Sequence, residues 1–234
     1  MTLTTAPPLR NLPRRVVAAI FDFDETMIDL EPQHAAASEA LCRAMGSDYF
    51  SMPAEFRLGS GRRVIDDVRH LRAFFGWTLS EGELLAIRQR AFDDACASAD
   101  LALMPGVERA VAALRDAGIR LAITSSAVRS AIEAILRRFG LRESFELIVD
   151  GSEVERGKPD PSAYLLTSRK LAVPPRDCVV FEDSTVGVAA AKAAGMYCIA
   201  VRNPHALMRQ DLDAADLVVD SFEQLLTSSS PSAR

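Results

Sequence analysis

Four short stretches hold side chains whose types and spacing can do chemistry. The first is Asp22-Phe23-Asp24-Glu25-Thr26, which closes an apolar, β-branched run from Val16 to Phe23. On a strand, Asp22 and Asp24 fall on one face, because side chains alternate with period two. Carboxylates side by side at an apolar strand end repel one another and are costly to desolvate. A polar turn with solvated acids accounts for the same letters. The second stretch is Thr124-Ser125-Ser126. Its hydroxyls, with the N-terminus of a following helix, can donate to an anion. They can equally cap that helix, and the two roles coexist. The third, Gly157-Lys158-Pro159-Asp160-Pro161, sets a lysine in a loop stiffened by the prolines around Asp160. The fourth is Phe181-Glu182-Asp183-Ser184, whose acids also suit the positive end of a helix dipole. If these stretches meet, Asp22, Asp24, Glu182 and Asp183 converge on one edge, and a hard divalent cation explains that better than solvation. Mg²⁺ is such a cation, held by carboxylates, waters and substrate phosphate.

The stretches can meet only if they follow strands of one parallel sheet. Apolar runs recur at Ile119–Thr124, Leu147–Asp150, Cys178–Phe181, Tyr197–Val201 and Leu217–Val219. Helical patterns separate most of them. Val107–Ala117 follows Pro105 and stops at Gly118, Ala127–Phe139 stops at Gly140, and Ser184–Ala194 opens on a serine cap and stops at Gly195. The alternation predicts an α/β fold, a Rossmann-like parallel sheet with helices on both faces in three layers. In such sheets ligands sit at the carboxyl ends of the strands. Residues 32–104 break the alternation: Gln33–Met45, Arg62–Phe75 and Ser80–Ala97 have helical spacing and no strand pattern intervenes. The expected organisation is an α/β core of residues 15–31 and 105–227, an inserted helical domain of residues 32–104, and loose termini at 1–14 and 228–234.

Of the 234 residues, 49% are hydrophobic and 25% charged, ordinary values for a globular chain with a core of its own. The net charge of −5, with no basic stripe, argues against nucleic acid as a partner. Lys158, Lys170 and Lys192 are the only lysines. Cys42, Cys96, Cys178 and Cys198 form no CxxC pair and read as reduced packing residues of a cytoplasmic protein. No apolar run approaches the ~18 residues of a membrane span. The opening MTLTTAPPLRNLPRR lacks the apolar stretch of a secretory signal.

The ordered set DxDxT, Thr-Ser-Ser, Lys-Pro and Glu-Asp resembles the haloacid dehalogenase superfamily of phosphohydrolases. Within it the chain is most similar to the β-phosphoglucomutase-like and phosphoglycolate-phosphatase-like branch, from about Val16 to Leu226. Leu30–His34 (LEPQH) and Phe181–Met196 (FEDSTVGVAAAKAAGM) add to the likeness, and the helical insertion matches the family's cap domain in position and size. The resemblance implies that Asp22 is the nucleophile and Asp24 the general acid–base, its backbone carbonyl a metal ligand. It assigns Thr124, with Ser125, to phosphate binding, Lys158 to charge neutralisation, and Asp183 with Glu182 to the metal. The implied metal set is thus Asp22, Asp24, Asp183 and Glu182, around Mg²⁺. Three departures stand out: Glu25 where the branch has Gly, Leu30 where it has Ser or Thr, and Ser162 in place of a second Asp in the Lys-Pro segment.

The implied chemistry is hydrolysis of a small phosphate monoester, of the sugar phosphate or phosphoglycolate type, through an aspartyl-phosphate. In the inserted domain, Arg57, Arg62 and Arg63 bracket Gly59-Ser60-Gly61. Arg62 aligns with a cap arginine of the mutase branch, which implies contact with a second anionic group. Solvated arginines at a helix start are the alternative. His34 is a candidate pocket residue, His70 reads as surface, and Trp77 with Phe74 and Phe75 reads as packing inside the insertion. A β-phosphoglucomutase-type mutase is the alternative activity, and the absence of a cap lysine weighs against it and excludes a Schiff-base phosphonate hydrolase. Asp24 excludes a dehalogenase. A non-catalytic binding protein on the same fold is disfavoured by the intact Asp22, Asp24, Lys158 and Asp183. No membrane contact is expected, and the chain is expected to act as a monomer or weak dimer.

Overall fold

The computed structural model describes residues 9, 11–13, 15–53, 61–206 and 210–226. Among them, six strands form one sheet: β1 (Ala18–Phe21), β2 (Arg120–Thr124), β3 (Leu147–Val149), β4 (Cys178–Glu182), β5 (Tyr197–Val201) and β6 (Leu217–Val219). The order is β3-β2-β1-β4-β5-β6, and every pairing is parallel. β1 and β4, central in the sheet, are buried along their whole length. That is why their apolar runs are continuous rather than alternating.

Helices cover both faces. Ala19, Phe21, Leu121, Ile123, Val179 and Phe181 pack toward α4 (Val107–Asp116) and α5 (Arg129–Arg138). Their strand neighbours Ala18, Ile20, Ala122, Cys178 and Val180 pack toward α6 (Ser162–Leu171) and α7 (Thr185–Ala193). Period-two alternation thus feeds two separate apolar clusters, and the three-layer fold follows. Helix α6 has no counterpart in the sequence reading, where Pro161 and the preceding Asp-Pro pattern read as loop. The helix expected from Ala127 begins at Arg129.

Between β1 and α4 the described residues hold α1 (Glu31–Ala44), a 3-10 turn (Tyr49–Ser51), α2 (Val64–Phe75) and α3 (Glu81–Ser98). α3 opens with a reciprocal capping box between Ser80 and Glu83, and α2 stops at Gly76 in the left-handed conformation. These helices share an apolar cluster of their own, with Leu41, Tyr49, Val68, Leu71, Trp77 and Leu84. Phe75 stacks on Trp77, as the sequence suggests. Phe74 meets the edge of Phe75 with ring centroids 4.8 Å apart, yet it is among the exposed large apolar side chains. The two connections to the sheet run side by side, with an antiparallel bridge between Ile28 and Leu103. At the N-terminus, Leu9 is fully buried and bridges Leu226, so at that residue the stretch expected to be loose is packed. His70 is half-buried rather than at the surface. All four cysteines are buried and free. No helix among the described residues is long and apolar enough to cross a membrane.

Candidate active site

The carboxyl ends of β1, β2 and β4 meet in one cleft. Parallel pairing carries on past β1, where the Asp22 amide donates to the Phe181 carbonyl at 2.9 Å, and so sets the first acid beside the end of β4. The ammonium of Lys158 lies 2.5 Å from Oδ1 of Asp22 and 2.5 Å from Oε1 of Glu182. The loop after β3 therefore delivers its lysine between two strand-end acids.

Glu182 is saturated. Oε1 accepts from Lys158 and from the Tyr164 hydroxyl at 2.8 Å. Oε2 accepts from the amides of Asp183 and Ser184 and from the Ser184 hydroxyl, at 2.9, 3.0 and 3.0 Å. The carboxylate sits under the first turn of α7, where a Cβ on Gly187 would fall 1.7 Å from Oε1. Only glycine fits above it. Burial pushes up on Glu182, but Lys158 and these donors hold its carboxyl below the usual range. Lys158 is desolvated too, and its two acids nonetheless raise its pKa.

Asp22 and Asp183 have the opposite balance. Burial pushes both carboxyls well up, Lys158 only partly offsetting it at Asp22, while Glu182, Asp22 and Glu25 push Asp183 further. Asp183 accepts from the Thr26 hydroxyl at 2.7 Å and from the Gln210 amide at 3.4 Å. Oxygens of Asp22, Glu182 and Asp183 lie within 4.8 Å of one another. Three buried carboxylates share one ammonium, so the cluster is short of positive charge. A divalent cation fits this donor set, with Asp22 and Asp183 offering the oxygens that Glu182 has already committed elsewhere.

Asp24 faces the insertion. Its Oδ2 lies 3.1 Å from Nε2 of His34, and its buried Oδ1 has no hydrogen-bond partner among the described residues. His34 stacks on Phe92, and its Nδ1 lies 3.3 Å from the Arg88 guanidinium. Arg88 is 1% exposed and also donates to the Ser38 hydroxyl. Burial pushes the Asp67 carboxyl up, against the pull of Arg88 and Arg62.

The cleft is lined by Asp22, Asp24, Glu31, His34, Arg62, Asp67, Ser125, Ser126 and Asp183, among others. Thr124 is not there. Its side chain is fully buried on the α6 side, 2.6 Å from the Thr167 hydroxyl. Strand alternation explains the correction: Thr124 shares a face with Ala122, and the cleft receives the next residue, Ser125. Arg62 reaches the cleft, 4.0 Å from Asp67. Arg63 turns the other way, and Arg57 lies outside the described residues, as do Gly59 and Ser60. Glu25 stands at φ +64°, a left-handed conformation that explains why glycine suits this position.

Sequence reasoning missed Arg88 and Asp67. The signal for Arg88 was present: Leu84, Arg88, Phe92 and Cys96 are the buried residues of α3, four apart. A charge within such a stripe needs a partner inside.

A haloacid dehalogenase-like hydrolase family model matches residues 16–195. Protein CbbY of Cereibacter sphaeroides is 33% identical over 218 residues, 90% of this chain and 94% of that protein. Hexitol phosphatase B of Escherichia coli K12 is 32% identical over 215 residues, 92% of this chain and 96% of that protein. Among solved structures, CbbY from Rhodobacter sphaeroides in complex with phosphate has a TM-score of 0.77 at 30% identity, covering 89% of this chain and 96% of that one.

Proposed function

The chain belongs to the haloacid dehalogenase-like hydrolases, and from that premise we propose that it is a phosphoric monoester hydrolase acting on a small phosphorylated sugar or polyol. The observation that carries this reading is Lys158 held between Asp22 and Glu182, with Asp183 beside them. One oxygen of Asp22 is engaged by Lys158, and the other is the nucleophile. It attacks phosphorus in line as the bond to the leaving oxygen breaks, giving an aspartyl-phosphate. Lys158 spreads the charge that gathers on the phosphoryl oxygens. Asp24 protonates the leaving alcohol from its unpaired Oδ1, then takes a proton from the water that splits the acyl-phosphate. The Ser125 hydroxyl donates to the phosphoryl group. Mg²⁺, held by Asp22, Asp183 and the Asp24 carbonyl, supplies Lewis-acid neutralisation of that group when bound. Glu182 belongs to Lys158 rather than to the metal.

The helical block of residues 32–104 acts as a cap over the cleft, with His34 and Arg62 facing substrate. Relatives named as phosphatases stand above 30% identity, and the described insertion carries no lysine; both support hydrolysis over phosphosugar transfer. Free buried cysteines and a metabolite substrate support a cytoplasmic location.

The test is a panel of phosphate monoesters with Mg²⁺, including hexitol 6-phosphates, a pentulose bisphosphate and β-glucose 1-phosphate. Release of inorganic phosphate from one of the sugar or polyol phosphates is expected. Conversion of β-glucose 1-phosphate to glucose 6-phosphate without net phosphate release would establish the mutase instead.

A further inference from the structure

Adjacent residues at a helix start cannot face the same way, and Arg62 and Arg63 diverge. Arg62 faces the cleft. Arg63, the residue before α2, is 8% exposed, far from the solvated state expected of a helix-start arginine. Its Nε and Nη2 fork onto the Asp66 carboxylate at 2.7 and 2.9 Å. Its Nη1 crosses to the sheet domain and donates to the Val154 carbonyl at 2.7 Å. The stem lies on bare backbone: a Cβ on Gly157 would come within 3.0 Å of Cγ of Arg63. An isolated arginine–aspartate pair three residues apart on a helix surface contributes only a few tenths of a kcal/mol. The partly buried contact across to Val154 is not part of such a pair.

Gly61 secures the same segment. At φ +77° it packs so closely that a Cβ would fall 2.6 Å from a Val186 methyl and 3.0 Å from the Ser184 hydroxyl. The Ser126 hydroxyl donates to the Gly61 carbonyl at 2.8 Å. The start of α2 therefore rests on three loops of the sheet domain. Ser126 follows Ser125, Gly157 precedes Lys158, and Ser184 follows Asp183. Each anchor is one residue from a group of the cleft.

We infer that Arg63 is a positioning residue, a latch that fixes the helical insertion onto the loop carrying Lys158 and so holds Arg62 and Asp67 over the cleft. The fork on Asp66 orients the guanidinium, and the third donor reaches Val154. A lysine has no such fork and cannot hold both partners in this geometry. The latch rests on the phosphatase reading only for its kinetic readout.

Arg63→Ala and Arg63→Lys test it, with melting curves to establish folding. KM for a polyol monophosphate should rise about tenfold in the alanine variant, the equivalent of one lost charge-assisted hydrogen bond, with the lysine variant between it and wild type. Hydrolysis of p-nitrophenyl phosphate, which offers the cap no polyol to grip, should stay within about twofold. Amide exchange should accelerate in residues 61–66 and 154–157 together. Equal losses on both substrates, unchanged KM, or unchanged exchange in residues 154–157 would overturn the latch. If the wild type hydrolyses no phosphate monoester, the phosphatase reading fails, and exchange alone decides for or against the latch.

Discussion

The Arg88 guanidinium lies 3.3 Å from Nδ1 of His34, and that contact decides which ring nitrogen holds the hydrogen. A guanidinium only donates, so Nδ1 accepts and the hydrogen sits on Nε2. Nε2, 3.1 Å away, then donates to Oδ2 of Asp24. One oxygen of Asp24 is thereby occupied, and the other, Oδ1, has no partner among the described residues; the proposed proton transfer uses it.

Arg88→Met keeps the apolar stem but frees Nδ1, so His34 can take either tautomer. Loss of this charge-assisted contact should lower kcat by roughly ten- to a hundredfold. The loss should be smaller for an aryl phosphate, whose leaving group needs little protonation. Steady-state kinetics on an alkyl and an aryl phosphate check this. Equal losses on both would detach Arg88 from the acid step.

Much of this was legible in the sequence, for physical reasons that differ by residue. The strands of the sheet read directly, because a strand buried on both faces leaves a continuous apolar run, as in Val179–Phe181. Asp22, Lys158 and Asp183 read from their places after strands. Thr124 misled because a hydroxyl at a strand end suits either face, and letters do not say which. The Glu182 assignment depended on a count of five donors that only the fold assembles. Asp67 was hidden because the charge that pulls on it most, Arg88, comes from another helix.

Asp67 gives a pH dependence with a definite sign. Burial holds its folded pKa above the unfolded value. The folded state thus binds this proton more tightly than the unfolded state. The resulting stability is complete below the unfolded value of about 3.9 and fades as pH rises through the raised folded value. Asp67→Asn has no such proton. The melting temperature of wild type minus that of Asp67→Asn should therefore fall as pH rises from about 4 toward 7. A difference that is flat or grows over this range contradicts the assignment.

Glu182 and Asp183 are neighbours with different duties, and metal separates them. Chelation should abolish turnover, and Mg²⁺ should restore it. Mg²⁺ should also raise the melting temperature of the wild type, because a ligand of the folded state alone stabilises it. Asp183→Asn should lose most of that rise, since it removes a metal oxygen. Glu182→Gln should instead lower the melting temperature without metal, because an amide cannot accept from all the donors around it; one buried unsatisfied group costs about 1–3 kcal/mol. Thermal melts with and without Mg²⁺ check both variants.

Asp22 and Asp24 make the sharpest pair. Asp22→Asn keeps the shape and a hydrogen-bond acceptor for Lys158 but removes the attacking anion. Turnover should fall to near background on every substrate, because Lys158 engages Oδ1 of Asp22 and the second oxygen is the one left to attack. Asp24→Asn should behave differently. With an aryl phosphate, attack by Asp22 needs little acid assistance, so a first burst of phenol should survive. Hydrolysis of the aspartyl-phosphate should then slow for want of a base, and the acyl-phosphate should accumulate. Rapid-quench kinetics with mass spectrometry of the trapped protein follow both steps. Phosphate found on Asp22 in the Asp24→Asn protein supports the assignment of nucleophile and base. Phosphate on another residue, or wild-type rates in Asp22→Asn, means that the lysine-bound carboxylate does not attack and that the cleft works by a different chemistry.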